Sequence, residues 1–263
     1  MTAPAYGELR EVTPLVSVLL QNNPGPMTLE GTNTWVLRAP GVRECIVVDP
    51  GEADDEEHLQ RVTAQGPVAR ILLTHRHHDH CGAARRLAEL TKAPVQALDP
   101  SLVLGSEALA DGDVVAAAGL ELRVVATPGH TSDSTSFLVD GPGEGPPPLL
   151  AGDMILGHGT TVIAHPDGAL APYLSSLDWY ADLPPGTTVL TGHGPELPDA
   201  ATVAKYYREH RHQRLDQVRE ALRTLPEDAT PRQVVEVVYA DVDQRLWDAA
   251  ELSVKAQLDY LRG

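Results

Sequence analysis

Thr74-His75-Arg76-His77-His78-Asp79-His80-Cys81-Gly82 follows the apolar run Arg70-Ile71-Leu72-Leu73 and leads into an Ala/Leu-rich segment, Ala83 to Leu90. The pattern reads as strand, loop and helix, with histidines and an aspartate spaced H-x-H-x-D-H in the loop. In extended chain, side chains two apart point the same way, so His75 and His77 can reach one metal ion together. Where the chain turns into the helix, Asp79 and His80 face a neighbouring point. Imidazole with carboxylate suits zinc or a similar transition metal, and the mixed donor set suggests a site left open to water. A loop of merely solvated side chains would not gather His75, His77, Asp79 and His80 directly after a buried-type strand. The remaining ligands are expected elsewhere in the chain.

Three more apolar runs end in turns carrying His or Asp. Leu122-Arg123-Val124-Val125 leads to Gly129-His130, Leu149-Leu150 to Gly152-Asp153, and Val189-Leu190 to Gly192-His193-Gly194. Loops leaving one edge of a sheet are neighbours in space, so His75, His77, Asp79, His80, His130, Asp153 and His193 are expected to converge. Further strands are expected at 14–20, 33–37, 44–48 and 135–139, with a hairpin of 113–117 and 120–126 around Gly119. Helical spacing marks 54–65 and 170–183. The sum is an α/β chain with two stacked sheets and helices outside. From Asp199 the pattern is helical throughout, over 200–225, 231–239 and 249–261, the second opened by an N-cap and Pro at Thr230-Pro231. The expected division is 1–204 and 205–263.

The chain has 263 residues, 42% of them hydrophobic, enough to bury a sizeable core. Two cysteines, Cys45 and Cys81, make a disulfide framework implausible and fit a reducing compartment. The N-terminal residues lack a basic stretch followed by an apolar one, and no apolar run approaches the ~20 residues of a membrane span. A cytoplasmic protein with no membrane partner is expected. Net charge is −17, and it is unevenly placed: residues 205–263 hold ten basic and eleven acidic side chains, whereas 1–204 hold ten and twenty-six. Such a field repels polyanions from the main body, although two bound cations would reverse the sign locally.

Taken together, His75-Arg76-His77-His78-Asp79-His80, Gly129-His130, Gly152-Asp153 and Gly192-His193 resemble the motif series of the metallo-β-lactamase-fold hydrolases. The loop Asn23-Pro24-Gly25-Pro26-Met27-Thr28-Leu29-Glu30-Gly31-Thr32-Asn33-Thr34 resembles the branch known as β-lactamase-like protein 2, and the helical tail resembles that branch's winged-helix-like C-terminal domain. The resemblance implies a four-layer αββα sandwich with two divalent metal ions along one edge, zinc first, with iron and manganese as alternatives. It implies His75, His77 and His130 around the first ion, Asp79, His80 and His193 around the second, and Asp153 between them. A hydroxide bridging the two would be the nucleophile, with Asp79 steering its proton. Asp49, which ends the run Glu44 to Val48, would orient a ligand from outside the shell or simply cap its turn. His78 is not a ligand in this pattern. Cys81-Gly82-Ala83-Ala84 departs from the Gly-Gly that commonly follows the motif, and a small packed residue is the expected role of Cys81. One fold hosts many chemistries, so the resemblance does not name a substrate.

Lys205, Arg208, Arg211, Arg214, Arg219 and Arg223 form the most basic stretch, which reads as a solvated helix face or as a strip for phosphates of RNA, a coenzyme or a pantetheine carrier. His158, Thr160 and Thr161 follow Asp153 closely enough to border a pocket. The leading expectation is a hydrolase of a small-molecule or carrier-linked ester or thioester. A single-strand endoribonuclease is second, and a nucleic-acid-binding regulator with a structural metal site is third.

Overall fold

The computed structural model describes residues 5–262. One sheet contains β1 (Leu9–Thr13), β2 (Val16–Leu20), β3 (Asn33–Leu37), β4 (Cys45–Val48), β5 (Val68–Leu72) and β6 (Val95–Gln96), paired in that order. The other contains β7 (Val114–Ala117), β8 (Leu120–Ala126), β9 (Thr135–Asp140), β10 (Leu149–Gly152) and β11 (Val189–Thr191), also paired in chain order. Outside the first sheet lie α1 (Glu56–Thr63), the one-turn α2 (His78–Cys81) and α3 (Ala84–Thr91). Outside the second lie α4 (Leu170–Ala181) and α5 (Ala200–Thr224), followed by α6 (Pro231–Val238) and α7 (Trp247–Arg262).

The layers follow from which face each strand buries. Trp35, Leu37, Ile46 and Val48 point between the sheets, where they meet Leu122, Val124, Phe137 and Val139. Their alternates Val36, Cys45 and Val47 face α1 and α3 through Leu59, Val62 and Leu87. Strands buried on both faces read as unbroken apolar runs, which is why 45–48 shows no alternation. On the far side, Leu138, Leu149 and Val189 pack against Leu170, Tyr173 and Leu177 of α4 and Ala204 and Tyr207 of α5. The result is the four-layer αββα sandwich. The edge strand β1 was not expected, because Leu-Arg-Glu-Val-Thr has the mixed composition of an exposed strand.

Strand direction assembles the site. β4 and β5 are parallel, β8 and β9 antiparallel, β9 and β10 antiparallel, and β10 and β11 parallel. The carboxyl ends of β8, β10 and β11 therefore share one edge, and those of β4 and β5 share one edge of the other sheet. The two edges are stitched together there. Thr135 N–H donates to Thr74 O at 2.8 Å and Asn33 N–H to Gly192 O at 2.8 Å. The Asn33 amide and the Trp35 indole both donate to Thr191 O, at 3.0 and 3.1 Å.

The α5 helix runs unbroken through position 204. Its first half belongs to the sheet-side core through Ala200, Ala204 and Tyr207, while Val218 and Ala221 join Val234, Val235, Val254 and Leu258 in a separate cluster with α6 and α7. Among the described residues, everything from 200 onward with regular structure is helical and no β-wing is present. No described helix is long and apolar enough to cross a membrane.

Candidate metal centre

The residue-level geometry begins at β5. Its last residues deliver Thr74 and His75, both buried, and one turn of helix returns His80 to the same point. His75 Nε2 lies 3.1 Å from His77 Nδ1, and His130 Nε2 lies 3.0 Å from that same nitrogen. Across the cleft, His80 Nε2 is 3.2 Å from His193 Nε2, and Asp79 Oδ2 is 3.1 Å from His193 Nε2. Asp153 sits between the groups, its oxygens 3.4 Å from His80 Nε2, 3.4 Å from His193 Nε2 and 3.9 Å from His130 Nε2. All seven expected residues are thus brought together. Three subsets, His75/His77/His130, His75/His80/Asp153 and Asp79/His80/His193, place one donor atom each within 4.8 Å of one another.

The donor set fits metal. Nitrogens held about 2.0–2.1 Å from a tetrahedral zinc are about 3.3 Å apart, close to the separations above. Asp153 Oδ1 is buried without a hydrogen-bond partner, a costly state for a carboxylate oxygen that a cation would relieve.

The ring orientations are fixed from behind. His130 Nδ1–H donates to Val162 O at 2.6 Å and His193 Nδ1–H to Gly31 O at 3.1 Å. Asp49 Oδ2 accepts from His80 Nδ1–H at 2.9 Å and from the Thr74 hydroxyl at 2.6 Å, while Asp49 Oδ1 accepts from Thr74 N–H at 2.8 Å. Because that hydroxyl is already donating, it accepts from His75 Nδ1–H at 3.0 Å. Four rings therefore keep a proton on the outward nitrogen and aim Nε2 inward, where it can hold a cation. Asp49 engages these donors rather than capping its own turn, and it does so from the left-handed region, at φ 52°. Sequence reasoning named Asp49 but not Gly31 or Val162, since a backbone carbonyl leaves no residue signature.

Electrostatics divide the cluster. Burial holds His75, His77 and His130 below the usual imidazole range, His130 at about 4. Burial opposes charge on His80 and His193 as well, but the Asp153 and Asp79 carboxylates outweigh it, raising His193 to about 9 and His80 well above its ordinary value. Asp79, despite burial, is drawn down to about 2 chiefly by His80 and His193. Protons on the His80 side thus balance carboxylate charge that cations would otherwise balance.

The remaining expectations separate. His78 is exposed and is in none of the three donor groups. Cys81 is half-buried, its thiol 3.1 Å from Arg76 O, and both cysteines are free. Arg208, Arg219 and Arg223 pair with Asp178, Asp216 and Glu220 on the surface. Arg211 instead is buried, donating to Thr161 O and lying 5.0 Å over the Tyr173 ring. His130 and Asp153 open into a cavity of about 260 Å³, whose walls include Met27, Leu29, Leu156, His158, Thr160, Thr161, Arg211, Arg214, Val242 and Leu246. A more open hollow of about 490 Å³ around Arg70, Gln96 and Asp113 touches none of the cluster.

Residues 27–193 match the model of the metallo-beta-lactamase superfamily. The chain belongs to that superfamily. Residues 230–262 match the beta-lactamase associated winged helix domain. A "Beta-lactamase-like protein 2 homolog" of Drosophila melanogaster is 34% identical across 95% of this chain and 88% of its own length. An "Atrochrysone carboxyl ACP thioesterase" of Aspergillus fumigatus is 30% identical across 93% of this chain and 81% of its own. Among solved structures, a beta-lactamase domain protein from Burkholderia ambifaria superposes with a TM-score of 0.83 at 25% identity, covering 99% of this chain and 89% of that one. In this superfamily of hydrolases, the two sheet edges and their loops are the place where the present chain gathers its histidines.

Proposed function

We propose that the chain hydrolyses an ester or thioester with two divalent metal ions, His75, His77 and His130 holding one, Asp79, His80 and His193 the other, and Asp153 bridging. The observation that carries the reading is a seven-residue donor cluster opening, through His130 and Asp153, into a largely apolar cavity. An acyl chain needs such a cavity, whereas a nucleic-acid strand needs a continuous basic groove. The 205–223 stretch is not such a groove, with Arg208, Arg219 and Arg223 already paired and Arg211 buried. The thioesterase among the relatives points the same way.

Bound divalent cations supply Lewis acidity and lower the pKa of water to near neutrality, and the five imidazoles with carboxylates suit zinc best. The chain's own residues do the rest. Asp49, Thr74, Gly31 O and Val162 O hold the rings in the required tautomer. Asp79 is one-fifth exposed against 9% for Asp153, which makes it the carboxylate of the cluster open to water. Thioester hydrolysis consumes one water, breaks the C–S bond and passes a proton to the departing thiolate. Asp79 stands where that proton can be taken up and returned. The chain's division into a catalytic 1–204 and a helical 205–263 belongs to the same proposal, the second part walling the cavity.

The test is metal analysis of purified protein, followed on the same sample by turnover of short- and long-chain acyl thioesters beside single-stranded RNA, with Asp79→Ala as control. Two metals and control-sensitive thioester turnover are expected. Control-sensitive RNA cleavage with inert esters and thioesters would overturn the reading in favour of a nuclease.

A further inference from the structure

The cavity wall contributed by α5 carries charge that, among the described residues, no carboxylate pairs with directly, although Asp153 lines the same cavity. Arg211 and Arg214 both line the cavity, and among the described residues neither forms an ion pair, unlike Arg208, Arg219 and Arg223 on the same helix. Each is instead spread over an aromatic face, Arg211 over Tyr173 and Arg214 over Tyr239 at 4.5 Å. Arg211 is 2% exposed, and its Nε is buried without a partner. Beside them His210 also lines the cavity, with Nδ1 buried and unpartnered. Guanidinium groups buried or half-buried at a cavity wall without a paired carboxylate are costly unless something anionic joins them.

The two arginines differ in availability. Arg211 donates to Thr161 O, and the Thr161 hydroxyl lies 3.3 Å from His130 Nδ1, so this guanidinium is tied to the wall next to the metal-type cluster. Arg214 is one helical turn farther on, about 5 Å along the axis, beside α6. It is half-buried, and its one engaged nitrogen donates to Val238 O at 2.8 Å and Gln217 Oε1 at 3.0 Å, while Nε and the second terminal nitrogen have no hydrogen-bond partner among the described residues. A planar fork with free donors at the cavity wall matches a carboxylate or phosphate.

We propose that Arg214, backed by Arg211 and His210, forms an anion subsite one helical turn beyond Arg211 on the wall of the same cavity, and that the substrate is an apolar ester or thioester carrying its own oxyanion group. This rests on the hydrolase reading for the word substrate but not for the binding site. Arg214 is a specificity residue; Arg211 is a positioning residue that holds Thr161 and supplies field. The oxyanion is either a carboxylate at the far end of the acyl chain or a phosphate of the thiol carrier.

The experiment compares adipoyl with hexanoyl thioesters, each on N-acetylcysteamine and on coenzyme A, in the metal-loaded full chain and in Arg214→Gln. Wild-type protein is expected to favour one anionic partner at least tenfold in kcat/KM, and Arg214→Gln to reduce that ratio tenfold. Preference for adipoyl on both thiols places the anion on the acyl chain; preference for coenzyme A with either acyl group places it on the carrier. Arg219→Gln, outside the cavity, is expected to keep the ratio. Arg214→Lys guards against misfolding by restoring charge without the fork, and an intermediate ratio is expected. Independently of turnover, calorimetry with adipate against the uncharged adipamide, and with 3′,5′-adenosine bisphosphate, should show anion binding that disappears in Arg214→Gln. Equal ratios in wild type and Arg214→Gln, with equal ligand affinities, would overturn the subsite. Absent turnover with Arg214-dependent anion binding would instead remove the hydrolase reading and leave the subsite standing.

Discussion

Replacing Asp49 by Asn would keep its volume while turning one oxygen into a donor that faces Thr74 or His80, both already donors. The His80 ring would lose its fixed tautomer, so metal affinity is expected to fall about 10–100-fold. Competition with a chelator reads this directly, and unchanged affinity would reduce Asp49 to a structural brace. A second buried histidine tests linkage away from the cluster. The Thr34 hydroxyl donates to Asp49 O at 2.8 Å, so at 2.9 Å it accepts from His58 Nε2–H. Burial, with some opposition from the Asp55 charge, pushes His58 down to about 4. The unfolded ring, with its ordinary value near 6.5, takes up its proton first, so the folded state loses stability as pH falls from about 6.5 to about 4. His58→Gln keeps a donor for Thr34 and removes the titration. Its stability deficit against wild type should therefore shrink by about 3 kcal/mol between pH 7 and pH 4. A deficit that stays constant with pH would refute that linkage.

At the scale of elements, α5 ties the cavity loop to the sandwich. The Tyr207 hydroxyl accepts from Leu156 N–H at 3.0 Å and donates to Gly159 O at 3.1 Å, spanning the start of the 156–162 loop. Tyr207→Phe should cost about 1–2 kcal/mol and raise protease cleavage within that loop; unchanged cleavage would show that the loop is held by other contacts. Much of this architecture was legible beforehand. The His/Asp loop announced itself by donor spacing, and Gly192 by its place beside His193. A Cβ on Gly192 would collide with Asp153 and lie 2.7 Å from His80, so only glycine fits there. What stayed hidden has physical reasons. The strand β1 is half-exposed and lacks the apolar run that betrays an interior strand. Arg211 sits among charged neighbours on a long helix and so reads as solvated, although packing against Tyr173 buries it. The cavity is assembled from segments as distant as Met27, Thr161 and Leu246, and no local pattern encodes such a meeting.

For the molecule as a whole, charge and metal occupancy belong to one balance. Asp49 and Asp153 lie almost fully buried at a seam between two sheets in a chain of net charge −17. That seam is held by hydrogen bonds such as those from Thr135 N–H to Thr74 O and Asn33 N–H to Gly192 O, and many of the side chains lining it are polar, so cations set between its carboxylates would add to its closure. Cations that bind only the folded chain stabilise it by about 2.7 kcal/mol for each site at a free metal concentration a hundredfold above Kd. In a domain of this size about 1 kcal/mol moves Tm by roughly 2–4 °C. Chelation is thus expected to lower Tm by about 5–10 °C for each site emptied, and titration back with zinc to restore it with an end point of two ions per chain. Asp153→Asn, which removes the bridging charge, should keep the fold but move that end point below two. If Tm of the chelated protein equals that of the loaded one, the donor cluster contributes nothing to closing the seam and the two-metal reading fails with it.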